Sequence, residues 1–290
     1  MNIQENVPLR PKTTMRIGGT ARYFVELKTK EDVQEATAFA TSHNIPIVVF
    51  GGGSNTIFAD GEIEALVVRT TANAVQIENN CITVEAGKNL AMLINELAEQ
   101  GLDLSPLTGI PGSVGGAIFG NAGQGPKGTW IDSFVESVTA YVDGKWKEFS
   151  RDECKLGYRN SIFKNQSQAL APVIWSTNLS IPTLPAAEIK AEIDRLLNKR
   201  FETQPHVKTA GSCFKATDET PAWGLIDEAG LHGLKIGDVQ VSEKHANFLL
   251  NEGEASFEDA AAIVQKIRDS INQPLEVEMR FIKNDGLSLF

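Results

Sequence analysis

The order of apolar and polar positions divides the chain into short strands and amphipathic helices. After an Arg16-Ile17-Gly18-Gly19 turn, residues 21–27 alternate with the period of a half-buried strand. Thr29 stands at an expected helix N-cap, with Glu31 and Asp32 in the first turn. Val33, Ala36, Phe39 and Ala40 follow as an apolar helical face, and residues 46–50 (PIVVF) make a buried strand. This strand, helix and strand predict a βαβ unit with parallel pairing. Residues 66–69, 74–77 and 82–85 read as strands, the last two joined by a Glu78-Asn79-Asn80 turn. Residues 89–100 place Leu90, Leu93, Ile94 and Leu97 on one helical face and end at Gly101. Residues 134–143 and 145–149 flank Asp143-Gly144, a hairpin signal.

Further on, residues 173–179 predict a strand and 186–200 a helix. Lys199 and Arg200 end that helix, where positive charge suits its dipole. The rest predicts a small-residue turn at 210–215, a short helix at 223–229 and strands at 235–241 and 248–250. An amphipathic helix at 257–271 and a last strand at 275–282 complete the chain. Pro182 and Pro185 mark a boundary, so domains of 1–182 and 183–290 are expected, the first with subdomains of about 1–50 and 51–182.

Two glycine clusters interrupt this pattern. Gly51-Gly52-Gly53-Ser54-Asn55 follows the 46–50 strand directly, where α/β folds place nucleotide phosphates. It lacks the GxGxxG spacing, and a tight structural turn would use the same residues. The second cluster is Thr108 to Gly128, TGIPGSVGGAIFGNAGQGPKG, in which eight of the twenty residues from Gly109 onward are glycine. Glycine costs conformational entropy, and its return is backbone that turns sharply and admits a ligand to its N–H groups. Ile110, Val114, Ala117, Ile118 and Phe119 are interleaved with the glycines, unlike a polar linker. Two phosphate cradles in one chain predict one large dinucleotide held at more than one point.

Composition narrows the partners. A formal net charge of −10 argues against nucleic acid or an anionic membrane as the main partner. No apolar run reaches the length of a membrane span and the first residues hold no apolar signal core, so a cytoplasmic protein is expected. Cys81, Cys154 and Cys213 are an odd, widely spaced set, neither a disulfide framework nor a zinc pattern. His43, His206, His232 and His245 form no ligand pair at helical spacing, so no metal is expected.

Taken in order, TTMRIGGTARYF, VVFGGGSN, LTGIPGSVGGAIFGNAGQGPKG, LGYRNSIF, AGSCFK, WGLIDEAGLHGLKIGDVQVSEKHANFLLN and LEVEMRFI resemble the UDP-N-acetylenolpyruvoylglucosamine reductase family over nearly the whole length. The resemblance implies an α+β fold. A two-subdomain FAD-binding region of the vanillyl-alcohol-oxidase (PCMH) type would precede a carboxyl-terminal α/β substrate domain whose last strand carries a glutamate. It implies non-covalent FAD, NADPH as reductant, and a UDP-sugar enolpyruvate as substrate of a monomeric enzyme. Gly51, Gly52, Gly53, Ser54, Asn55, Thr108, Gly109, Gly112, Ser113, Gly115, Gly116, Asn121, Ala122 and Gly123 would hold the cofactor. Ser212 occupies the proton-donor position, Arg159 the position that binds the substrate carboxylate, and Glu278 that of the catalytic glutamate. Tyr158, Lys244 and Arg280 fall at substrate positions.

Each of these residues also has a plainer reading. Ser212 alone is a turn serine, Arg159 a salt-bridge arginine, and Glu278 a solvated carboxylate whose rival, Glu276, lies on the same face of the expected strand. Cys213 reads as packing, and His245 as a base or a packed polar residue. Lys215-Ala216-Thr217 replaces the Lys-Asn-Pro frequent in the family, and Val277 and Met279 stand where Pro and Val are frequent. The short interval from Arg159 to Ser212 resembles the subgroup without an inserted tyrosine loop. The rival functions are a flavin oxidase of the same fold and a non-catalytic nucleotide-sugar binding module.

Overall fold

The computed structural model describes residues 1–125, 128–164, 171–217 and 220–290, so Pro126 and Lys127 of the second glycine cluster lie outside the described residues. In chain order the elements begin β1 (Gln4–Pro8), β2 (Thr20–Leu27), α1 (Lys30–His43), β3 (Ile47–Phe50), β4 (Thr56–Phe58), β5 (Glu62–Thr70), β6 (Val75–Glu78) and β7 (Cys81–Glu85). They continue with α2 (Leu90–Glu99), α3 (Val114–Gly120), β8 (Val135–Val142), β9 (Lys145–Ser150), β10 (Val173–Ser180) and α4 (Ala186–Thr203). The last are β11 (Thr209–Ser212), α5 (Ala222–Glu228), β12 (Lys235–Ile236), β13 (Val239–Val241), β14 (Phe248–Asn251), α6 (Phe257–Ser270) and β15 (Arg280–Ile282).

The chain divides into two compact units. One holds Met1–Ile3, Val25–Gly52 and Leu66–Arg200; the other holds Gln4–Phe24, Gly53–Ala65 and Phe201–Phe290. This differs from the boundary expected at 182/183 and from the subdomain boundary near residue 50. The division falls instead in the last turn of α4, and two early segments join the carboxyl-terminal unit. The reason is pairing that local patterning does not encode: β4 pairs in parallel with β15, more than two hundred residues later, at Thr56↔Arg280, Ile57↔Phe281 and Phe58↔Ile282.

In the first unit, β3 pairs in parallel with β5, Ile47 opposite Leu66 through Phe50 opposite Arg69. The βαβ unit is therefore corrected, because β5 stands between β2 and β3 in the strand order. Thr29 caps α1 through a capping box with Asp32, as its position predicts. A second, antiparallel sheet runs β6-β7-β10-β8-β9. Its Ile82, Val84, Val138 and Ala140 share one core with Leu93, Leu97, Val114, Ile118, Ile189 and Ile193 from α2, α3 and α4. Burial of that apolar surface is the main force holding this half together.

The second unit has an antiparallel sheet, β11-β14-β13-β12. The single strand expected over 235–241 is two strands, because Gly237 takes φ +54° and turns the chain. The last strand is also shorter than expected. Only Arg280–Ile282 is strand, and Glu278 lies two residues before it. Residues 210–215 are not simply a turn, since Thr209–Ser212 is strand β11, with Thr209 opposite Leu250 and Ser212 opposite Phe248 on β14.

Candidate active site

In the first unit the two glycine clusters meet. A Cβ on Gly51 would lie 2.4 Å from Ser113 Oγ, and one on Gly52 would lie 2.9 Å from Gly112 Cα. Any side chain at Gly52 therefore collides with backbone. Within the second cluster the expected loop is in part a helix, α3, whose N-cap Ser113 accepts from Gly116 N at 3.3 Å. Gly115 faces the chain, not a ligand. Its N–H donates to Ala86 O at 2.8 Å, and a Cβ there would be 2.7 Å from Ala86 Cβ. Thr108 Oγ1 is buried with no hydrogen-bond partner among the described residues. Narrow glycine backbone beside an orphaned hydroxyl fits a dinucleotide whose phosphates supply acceptors. Gly51, Gly52, Thr108, Gly112, Ser113 and Gly116 are the residues that could hold it. Gly53, Ser54 and Asn55 belong to the other unit, where Gly53 O accepts from Thr14 N at 3.0 Å.

Arg159 is built into the same unit. It takes φ +52°, a left-handed conformation that costs a non-glycine residue about 1–2 kcal/mol. Its Nη2 donates to Gly123 O at 2.8 Å and its Nη1 to Asn121 O at 3.4 Å. Asn121 is fully buried and works as a brace. Its Nδ2 donates to Gly157 O at 2.9 Å and its Oδ1 accepts from Asp132 N at 3.2 Å. Lys164 Nζ donates to Arg159 O at 2.7 Å. Ala122 O accepts from Ile131 N at 2.9 Å, and Trp130 leaves no room for a Cβ at Gly123. The Tyr158 ring lies 5.7 Å from the Arg159 guanidinium and 5.6 Å from the Trp130 ring. Strained backbone held by this many bonds is a mark of functional positions.

The second unit brings Ser212, Cys213 and Glu278 together. Ser212 ends β11 after Gly211, which has φ +81°. Among the described residues, no hydrogen bond engages its hydroxyl. Glu278 N donates to Cys213 O at 2.8 Å, and Glu278 O accepts from Asn55 Nδ2 at 3.1 Å. Cys213 is fully buried, and burial together with the nearby Glu278 charge pushes its thiol far above the ordinary range. Glu276, the rival of Glu278 in sequence, is exposed and pairs with Lys215 Nζ at 2.5 Å.

Arg280 N donates to Asn55 O at 3.0 Å, and burial pushes its guanidinium down to about 10. Lys244 Nζ donates to Phe201 O, and His245 packs on Phe248 at 4.7 Å. Burial holds His245 below the ordinary imidazole range. Sequence reasoning missed Asn247. Its Oδ1 accepts from Phe214 N at 2.9 Å, its Nδ2 donates to Phe214 O at 2.8 Å, and its carbonyl accepts from Cys213 N at 2.8 Å. Its place in KHANF was the only available signal. Among the described residues no group of three or more His, Cys, Asp or Glu side chains could hold a metal ion.

A family model described as an FAD binding domain matches residues 21–150, and one described as the UDP-N-acetylenolpyruvoylglucosamine reductase C-terminal domain matches residues 204–281. The UDP-N-acetylenolpyruvoylglucosamine reductase of Protochlamydia amoebophila is 35% identical over 97% of this chain and 94% of its own length. The chain belongs to this reductase family. It is thus an FAD-binding oxidoreductase of mixed α and β structure. The reductase of Carboxydothermus hydrogenoformans is 36% identical over 96% of this chain and 91% of its own. The crystal structure of the reductase from Thermus caldophilus matches with a TM-score of 0.85 and 31% identity, covering 97% of this chain and 99% of that one. Gly51–Asn55 and Thr108–Gly123 fall in the span of the FAD-binding match, and Ser212, Lys244, Glu278 and Arg280 in that of the reductase match. No helix of the described residues is long and apolar enough to cross a membrane.

Proposed function

We propose that this chain reduces the enolpyruvyl double bond of UDP-N-acetylglucosamine enolpyruvate to give UDP-N-acetylmuramate, with NADPH as the reductant. The observation that carries the reading is the pairing of an unengaged Ser212 hydroxyl with Glu278, whose backbone is bonded to the residue next to that serine. Bound FAD supplies the hydride chemistry. The residues of this chain bind, orient and move the proton. Arg159 holds the substrate carboxylate, for which its planar fork offers two parallel donors. Charge developing on that carboxylate as the double bond gains electrons is stabilised by a cation already fixed in place. Ser212 gives its proton to the neighbouring carbon. A hydroxyl is a weak acid, and it suffices here because the carbanionic partner is strongly basic. Glu278 assists the enol. The cytoplasmic, monomeric state expected from the sequence belongs to this reading.

Ser212→Ala tests it. Flavin bleaching by NADPH is expected within twofold of wild type, and the return of flavin absorbance on adding the enolpyruvate is expected to slow at least a hundredfold. Equal loss in both steps, or no loss in either, overturns the assignment.

A further inference from the structure

We propose that Arg200 is a second anion-binding residue beside Arg159, the two guanidinium groups sharing one oxyanion, a carboxylate or a phosphate, held against the Thr108-Gly109 turn. This rests on the reading above. The end of α4 is where sequence expects Arg200 to serve its own helix terminus. Instead, its side chain crosses to the glycine-rich stretch, and Nη1 donates to Gly109 O at 2.7 Å. The fit requires glycine. Residue 109 has φ +79°, and a Cβ there would lie 2.4 Å from Arg200 Cδ and 2.8 Å from Nε.

That Nε is buried with no hydrogen-bond partner among the described residues, as is the hydroxyl of the adjacent Thr108. Buried polar atoms are nearly always paired, and a charged donor left dry is costly. Burial lowers the Arg200 guanidinium from the ordinary arginine range, and the positive charge of Arg159 acts in the same direction. Geometry puts both cations at the same stretch of chain: Arg159 Nη2 donates to Gly123 O, the next residue, Gln124, donates from Nε2 to Thr108 O at 3.2 Å, and Arg200 holds Gly109 O. Two like charges and two orphaned polar atoms beside a cleared stretch of backbone make half of a site, and an oxyanion supplies both the charge and the lone pairs that complete it. Residue 200 lies between the spans of the two family matches, 21–150 and 204–281.

The test compares wild-type holoenzyme with Arg200→Met and Arg200→Lys. FAD affinity is read from released flavin fluorescence. Affinities for UDP-N-acetylglucosamine enolpyruvate and for UDP-N-acetylglucosamine are read from flavin spectral shifts, and that for NADPH from the concentration dependence of bleaching. Arg200→Met is expected to weaken at least one ligand about tenfold or more, and Arg200→Lys to recover part of the loss by keeping charge without the fork. Weakening of the enolpyruvate alone identifies its carboxylate as the shared anion. Weakening of both sugars, of NADPH or of FAD identifies the phosphate of that ligand. All affinities within twofold of wild type overturn the proposal, even if thermal stability falls, because Arg200 then only clamps the loop. If Arg200→Met does not fold, Arg200→Lys decides on the same criteria. A wild type that fails to reduce the sugar sinks the functional reading instead, and the FAD arm still decides the role of Arg200.

Discussion

Truncating Asn247 to alanine isolates how the end of β11 is held. The side chain is 6% exposed and spans both backbone groups of Phe214, itself 1% exposed, with bonds of 2.9 and 2.8 Å. Removing it strands one N–H and one C=O that have no route to water. Each unsatisfied buried group costs about 1–3 kcal/mol, so the FAD-loaded protein is expected to lose about 2–6 kcal/mol of stability in denaturant unfolding. Asn247→Asp keeps the acceptor but turns a carboxylate toward Phe214 O, and should be at least as damaging. The loss also has a kinetic signature. Residues 212–214 lose their fixed geometry, and misplacement of about an ångström can cost a hundredfold in rate. Bleaching by NADPH should stay within twofold, while recovery with the enolpyruvate slows at least tenfold. A stability change below about 1 kcal/mol with both steps intact would refute the reasoning, as would equal slowing of both steps.

Three further outcomes follow from the same geometry. Gly52→Ala puts a Cβ 2.9 Å from Gly112 Cα, so FAD affinity is expected to fall at least tenfold by fluorescence titration; unchanged affinity means the cradle is elsewhere. Cys213→Ala removes a buried thiol without touching the proton donor, and should lower stability by about 1–2 kcal/mol yet leave both flavin steps within threefold; a selective loss of the second step would make the thiol, not Ser212, the donor. His245 is held below the imidazole range by burial and secondarily by His232, so the unfolded chain takes up its proton first as pH falls. Stability contributed by the neutral ring is present above the unfolded value near 6.5 and is lost as pH drops from there toward the folded value; His245→Phe should flatten that slope in denaturant titrations, and an unchanged slope would show that other groups set it.

Local signals made much of the architecture legible. Thr29 and Asn89 cap their helices as their side chains dictate, and Asn79 and Asp143 take the positive φ that their hairpin turns require. The glycine clusters were visible as stretches of close backbone approach because glycine at that density has few other uses. Their meeting at Gly52 and Gly112 was not visible, since it depends on packing between distant segments. The pairing of β4 with β15 was hidden for the same reason, and with it the true division of the chain. Helix α3 was obscured because Gly115 and Gly116 lower helix propensity, while tertiary contact with Ala86 and the Ser113 cap restores it. Ser212 and Glu278 were legible through the family resemblance, whereas nothing in the sequence alone separated Glu278 from Glu276. In the structure Glu276 forms an ion pair with Lys215. Arg200 reads in sequence as an ordinary helix end, and only the Gly109 contact reveals its other use.

The most direct test of the account is an anaerobic absorbance titration of the purified wild-type protein. NADPH is added first, then UDP-N-acetylglucosamine enolpyruvate. The account predicts a flavin band that NADPH bleaches and that returns in proportion to the enolpyruvate added. A colourless protein, or a reduced flavin that only oxygen restores, would contradict it.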